Sequence, residues 1–230
     1  MLAFPDPVGW RAFAFHASIG RLAGDRLDLS QSSPAESVES RILEIALAHV
    51  RRFGSARATV VGVAQEAGMT HANVYRYFPS KAALFEEITA SWLRPIETRL
   101  REAAEGAAPA YDKLENMLMT IHRAYRQKLE SDPALFDLLI EALEEDRGSA
   151  RRHRARVQSE IQRVVEEGVA SGAFAMTDRR RAMSLIFDAA HRFIHPIALR
   201  LDRDASSVAL ASRFETIVAV VLRTLRTGRA

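Results

Sequence analysis

Residues 59 to 77 read Thr-Val-Val-Gly-Val-Ala-Gln-Glu-Ala-Gly-Met-Thr-His-Ala-Asn-Val-Tyr-Arg-Tyr, and the fold of the whole chain turns on how this stretch divides. Val60, Val63, Ala64 and Ala67 recur at helical spacing on one face, and Gly68 interrupts them. Thr59 and Thr70 each stand immediately before a short helical run, where a threonine hydroxyl accepts an orphan backbone amide. Two short helices joined by a glycine-containing turn make a helix-turn-helix, whose second helix is shaped for the major groove of DNA. Val74 and Phe78 are placed to anchor that helix inward, leaving His71, Ala72, Asn73, Tyr75 and Arg76 on its other face.

Outward from the motif, the periodicity remains helical. Before it, Ile42, Ala46, Val50 and Phe53 recur every three to four residues, and Gly54 stops the run. After it, Pro79 and Ser80 open a long amphipathic stretch carrying Leu84, Phe85, Ile88, Trp92, Ile96 and Leu100, with a kink expected at Pro95. Further helices are predicted over about 110–130, 133–146, 149–171, 178–200 and 205–227, separated by Asp132-Pro133, Gly148-Ser149, Gly172 and Asp202 to Ser206. No run alternates strictly between apolar and polar, so the class is all-α. The organisation that follows is a flexible arm over 1–37, a three-helix DNA-binding domain over 38–82, a connecting helix over 83–106 and a helical bundle over 107–230. The arm is rich in Pro, Gly and Ser, with a weak helical signal from Trp10 to Leu22, and reads alternatively as an over-long gene start.

Bulk composition excludes several classes. With 48% hydrophobic and 27% charged residues, the chain has an ordinary globular balance. No stretch approaches the roughly 18 to 20 uninterrupted apolar residues that span a bilayer, so a cytoplasmic protein with no membrane partner is expected. Zero cysteines remove disulfides, thiolate metal sites and cysteine nucleophiles. There is no nucleophile elbow, phosphate-binding glycine loop or metal-hydrolase motif, so enzymatic activity and a cofactor are not expected. The net charge of +3 is small, but residues 41–85 hold six basic side chains against two acidic ones. A basic island in a near-neutral chain is the footprint of a module that meets phosphates.

The run Ala-Gly-Met-Thr-His-Ala-Asn-Val-Tyr-Arg-Tyr-Phe-Pro-Ser-Lys-Ala-Ala-Leu-Phe, from Ala67 to Phe85, resembles the signature of the TetR family of bacterial repressors. The likeness covers about residues 38 to 90. It implies that Thr70, Tyr75, Tyr77 and Lys81 contact the phosphate backbone, with Lys81 beside a helix amino end that itself favours an anion. It further implies that His71, Ala72 and Asn73 reach base edges, Asn being suited to adenine and the Ala methyl to a thymine methyl. Tyr75, Tyr77 and Phe78 also read simply as packing of a small three-helix unit. One departure stands out: Val61 and Gly62 follow the capping Thr59 where the family commonly has polar residues, which weakens base reading from that helix and removes the acidic member of a capping box. Arg57 is a candidate to hold a phosphate instead, or is an ordinary solvated arginine.

For the carboxyl half the same resemblance implies an effector cavity within a bundle and a dimer interface built from the last two helices. Candidate cavity residues are Trp92, Met117, Ile121, His122, Tyr125, Phe136, Leu139, Phe187 and His191, which combine large apolar bodies with a few polar tips; plain core is the competing reading for each. Both final helices are apolar on more than one face, which suggests a subunit contact as well as a core; Ile186, Phe193, Phe214, Val218, Val221 and Leu225 are the interface candidates. His191 and His195 at i and i+4, with Asp188 one turn earlier, share a helix face. They lack a fourth ligand and meet Pro196, so a histidine pair within the bundle or near the cavity is expected, not a metal site. Glu141, Glu144, Glu145 and Asp146 precede Arg151, Arg152, His153, Arg154 and Arg156, a pattern that predicts a salt network within one helical hairpin, with a second nucleic-acid or partner surface as the alternative.

The function this predicts is a homodimeric repressor released from a palindromic, double-stranded operator by a small, hydrophobic effector. The alternative keeps the DNA-binding half and makes the carboxyl half a protein-interaction platform.

Overall fold

The computed structural model describes residues 37–229, so the proposed amino-terminal arm lies outside it except for Ser37. Among the described residues every regular element is a helix: α1 (Val38–Arg57), α2 (Val60–Glu66), α3 (His71–Tyr77), α4 (Lys81–Glu105), α5 (Ala110–Ser131), α6 (Pro133–Glu144), α7 (Gly148–Ala170), α8 (Arg179–Ile194), α9 (Pro196–Leu201) and α10 (Ser207–Thr227). The all-α class expected from periodicity is therefore the observed one.

Short polar side chains start most of these helices, each satisfying an amide that the helix cannot, whereas α5, α7 and α9 have no side-chain cap. Thr59 accepts from Gly62 N at 3.1 Å, Thr70 from Asn73 N at 3.3 Å, Ser80 from Ala83 N at 3.0 Å and Asp178 from Arg181 N at 3.1 Å. At Gly54 the backbone turns left-handed (φ 77°), which interrupts α1 one turn before its end. α4 continues through Pro95. The helix expected over 178–200 is instead two, because the residue before a proline is pushed out of the helical region; His195 adopts φ −90°, ψ 122° and separates α8 from α9.

Two apolar cores result. The smaller gathers Ile42, Ala46 and Val50 of α1, Val60, Val63 and Ala64 of α2, Val74 of α3 and Leu84, Phe85 and Ile88 of α4. It is completed by Leu135 and Leu138 of α6. The larger core runs through α4, α5, α6, α7, α8 and α10. α6 thus contributes one face to each, and polar contacts fix it to α1: Arg51 Nη2 lies 2.6 Å from Asp132 Oδ2, and Ser55 hydrogen bonds to Glu141.

All six dimer-interface candidates are corrected by this packing. Ile186, Phe193, Phe214, Val218, Val221 and Leu225 are each buried within the chain itself, Phe193 and Phe214 as rings stacked 4.8 Å apart. Two apolar faces on α8 and α10 signalled that these helices face several neighbours of their own chain. The exposed apolar side chains in this region are Leu201, Val208 and Val220. The single-hairpin salt network is also only part of the picture. Arg151 does pair with Asp146 at 3.0 Å, but Arg152 reaches Glu86 of α4 at 3.6 Å, and His153 and Arg156 both meet Glu97 of α4.

Candidate DNA-binding surface and effector cavity

α3 stands on the small core through Val74 and Phe78, both buried, so its opposite side faces outward. His71, Ala72, Asn73, Tyr75, Arg76 and Tyr77 are exposed, with Tyr75 and Tyr77 retaining 44% and 42% of their surface. Tyrosine rings left that open next to a buried neighbour are not serving as core. The His71 ring meets Tyr75 edge-on at 6.3 Å, which orders the first turn. Thr70 uses its hydroxyl as a cap and remains exposed. Arg57 and Thr59 are exposed beside it in sequence.

Lys81 occupies a half-buried position, donating from Nζ to the Ala56 carbonyl at 3.3 Å and sitting 5.2 Å from the Phe85 ring centroid. It therefore ties the end of α1 to the start of α4. An ammonium carries three donors, so this bond leaves capacity for a phosphate.

The unusual Gly62 has a structural cause that the sequence did not disclose. A Cβ there would lie 2.8 Å from His49 Cε1, and the His49 ring is held in place by its Nε2, 2.6 Å from Glu66 Oε2. His49 of α1 is buried and fills the space that a larger side chain on α2 would need. Val61 at the preceding position is 52% exposed, which leaves α2 without a polar side chain there.

Within the larger core lies a cavity of about 200 Å³ bounded by α5, α6, α7, α8 and the start of α9. Five of the sequence candidates line it: Ile121, Tyr125, Leu139, Phe187 and His191. The other four are corrected. Met117 and Phe136 are completely buried in the core, and Trp92 packs behind the wall against Tyr125 and Phe136 at ring separations of 6.1 and 6.4 Å. His122 donates from Nδ1 to the Phe193 carbonyl at 2.8 Å, and burial lowers its pKa, so it acts as a neutral core histidine.

Sequence reasoning missed the contribution of α7. His153, Arg154, Val157 and Gln158 line the cavity, whereas α7 read only as a charged helix. The usable signal was the spacing of His153, Val157 and Ile161, which places all three on one buried face. His153 also joins a chain of hydrogen bonds. Tyr125 Oη lies 2.7 Å from His153 Nε2, His153 Nδ1 lies 2.8 Å from Glu97 Oε1, and Arg156 meets the other Glu97 oxygen. Burial alone would raise the Glu97 pKa, but hydrogen bonds from His153 and Arg156 overcome it and leave the carboxyl below its ordinary range. Burial and the nearby Glu97 charge both raise the Tyr125 pKa, keeping its phenol protonated as the donor to His153. The cavity wall is thus wired to α4.

His191 and His195 also border the cavity, with their rings stacked at 4.6 Å and 17° between planes. Burial, then the charges of His191 and Arg154, lower the His195 pKa. Among the described residues no group of three or more His, Asp or Glu side chains is arranged to hold a metal. No described helix is long and apolar enough to cross a membrane.

A short capped helix presented on a three-helix core and fused to a larger bundle defines the class of helix-turn-helix DNA-binding regulators. Residues 42–88 match the model of bacterial regulatory proteins of the tetR family, and residues 110–220 match a Tetracyclin repressor-like C-terminal domain. The chain belongs to the TetR family, whose members are transcription regulators and not enzymes. An uncharacterized HTH-type transcriptional regulator of Bacillus subtilis, YhgD, is 23% identical over 143 residues, 60% of this chain and 72% of that protein. A TetR/AcrR-family regulator from Thermobifida fusca shares the fold with a TM-score of 0.61 at 20% identity, covering 82% of this chain and 98% of that one. FadR of Bacillus subtilis in complex with stearoyl-CoA shares it at 0.58 and 18% identity, covering 83% and 98%.

Proposed function

We propose that the protein is a homodimeric repressor in the cytoplasm, held on a near-palindromic operator by α3 and released by a small, largely apolar effector that enters the bundle. In this reading residues 38–82 bind DNA, 83–106 connect, and 107–230 sense and dimerise. The observation that carries it is α6: Leu135 and Leu138 sit in the core beneath the recognition helix, while Leu139 and Leu143 line the cavity. A ligand that fills the cavity therefore presses on a helix already fastened to α1 through Asp132 and Glu141. A second route is the Tyr125–His153–Glu97 chain to α4. FadR of Bacillus subtilis, a transcriptional regulator of the same fold, forms a complex with stearoyl-CoA, which supports a ligand-responsive reading here.

Dimerisation is assigned to the outward sides of the last long helices, α8 and α10, in place of the six buried residues; the exposed apolar side chains there, Val208 and Val220, both belong to α10. DNA contact is assigned to Arg57, Thr59, Thr70, Tyr75, Tyr77 and Lys81 on phosphates and to His71, Ala72 and Asn73 on bases. Effector and operator then oppose each other by the same factor in both directions.

Footprinting on the DNA upstream of the gene, together with the mass of the complex in solution, tests this reading. The expected result is a symmetric protected site carrying two protomers, with half-sites about one helical turn apart. Tyr77→Ala should weaken binding to all sequences alike. A monomer protecting one asymmetric half-site, or Tyr77→Ala binding as the wild type does, would refute it.

A further inference from the structure

The depth and the mouth of the cavity differ in chemistry. Ile121, Leu139 and Val157 are buried apolar walls, whereas Arg154, Gln158 and His191 are exposed at its edge. No Asp or Glu lines it. Neighbouring arginines on α7 are all matched: Arg151 by Asp146, Arg152 by Glu86 and Arg156 by Glu97. Arg154, the arginine that borders the cavity, has no carboxylate partner among the described residues. Beside it, His195 presents a buried Nδ1 with no hydrogen-bond partner, and its ring stacks on His191. Three nitrogen-bearing side chains thus meet at one edge of an apolar space without a counter-charge.

We infer that the effector carries a single carboxylate head on a small apolar body, with the head held between Arg154 and the His191–His195 pair and the body lying against Ile121, Leu139 and Phe187. This rests on the reading of the cavity as the effector site and adds the ligand's chemical class. The volume of about 200 Å³ falls below the range of roughly 300–1,000 Å³ for drug-sized ligand sites, which suits one ring or a short chain and not a long acyl group. A primary amide of the same shape offers the guanidinium one neutral carbonyl acceptor, whereas a carboxylate offers two charged oxygens and so supplies charge-assisted, bidentate bonds. Burial first, and then the charges of His191 and Arg154, lower the His195 pKa, and an anion placed among those charges offsets the second cause.

Titration calorimetry of the full chain with butanoate, octanoate and benzoate, each against its primary amide, tests the inference. At least one carboxylate should bind about tenfold more tightly than its amide, a difference of about 1.4 kcal/mol. Arg154→Gln should erase that advantage, bringing each carboxylate to within about twofold of its amide. Amides that bind as tightly as the carboxylates, or an advantage that survives Arg154→Gln, would overturn the anionic head and leave the effector cavity standing. Failure of every compound to bind would overturn both.

Discussion

The recognition helix and the cavity are built on opposite plans. α3 is seven residues long, makes its own cap, buries Val74 and leaves the rest of its surface to solvent. The cavity has no continuous stretch at all; its walls come from residues between Ile121 and Pro196 on five helices. A surface that reads DNA needs shape and exposure, which local sequence supplies. A site that encloses a ligand needs tertiary convergence, which only packing supplies. What joins the two is α6, and the sharpest tests act where the plans meet.

The largest effect is expected at that junction. Asp132 both caps α6, accepting from Leu135 N at 3.4 Å, and receives Arg51 of α1. Asp132→Ala should cost about 2–3 kcal/mol, combining a lost cap of about 1–2 with an ion pair discounted because Arg51 is half exposed. Urea unfolding measures it. If the cavity and the DNA-binding core were independent, the same variant would leave operator affinity untouched; a parallel loss of affinity is the expected result.

A second test probes the DNA-binding half alone. Gly62→Glu restores the acidic position of a capping box, and by local sequence rules it should stabilise α2. The structure requires the opposite, because the new Cβ meets the His49 ring. A loss of about 1–2 kcal/mol is expected, from overpacking offset in part by the cap. Melting temperatures of Gly62→Glu and of Gly62→Glu with His49→Ala separate the two: stabilisation in the single variant would show that the local rule outweighs the contact.

The third test concerns specificity. Asn73→Ala should lower discrimination at one operator position by about 1–2 kcal/mol while sparing overall affinity, as read from a panel of single-base operator variants. An equal loss on every variant would move Asn73 to the phosphates.

These contrasts explain what the sequence could disclose. Val60, Val63, Val74 and Phe78 fall at the spacing of a small core, and the threonine caps lie next to the helices they start, so α2 and α3 were legible from a short window. Ile121, Tyr125 and Leu139 are legible because large, mainly apolar side chains sit on the buried faces of amphipathic helices. Met117 and Phe136 share that description and lie in solid core, since periodicity marks the buried face without marking where packing leaves space. Phe193 and Phe214 failed as interface residues for a related reason: two apolar faces reveal two neighbours, not whether a neighbour belongs to another subunit. His153 was hidden among arginines, because its partners Tyr125 and Glu97 are 28 and 56 residues away.

The smallest effect separates a core histidine from those of the cavity. Burial lowers the His122 pKa from 6.5, so folded His122 stays neutral in a range where the unfolded chain takes up a proton. Above pH 6.5 both states are neutral and the residue adds no pH dependence; below it, stability falls as the unfolded state gains the proton. His195 is shifted in the same direction, so the wild-type slope combines the two. Urea midpoints at pH 7.5 and 5.5 for the wild type and His122→Gln resolve them. His122→Gln should lower stability at both values, through the lost bond to the Phe193 carbonyl, yet lose less between pH 7.5 and 5.5 than the wild type does. A variant with the full acid slope would assign that slope to His195 at the cavity edge, where a bound carboxylate would then be expected to flatten it.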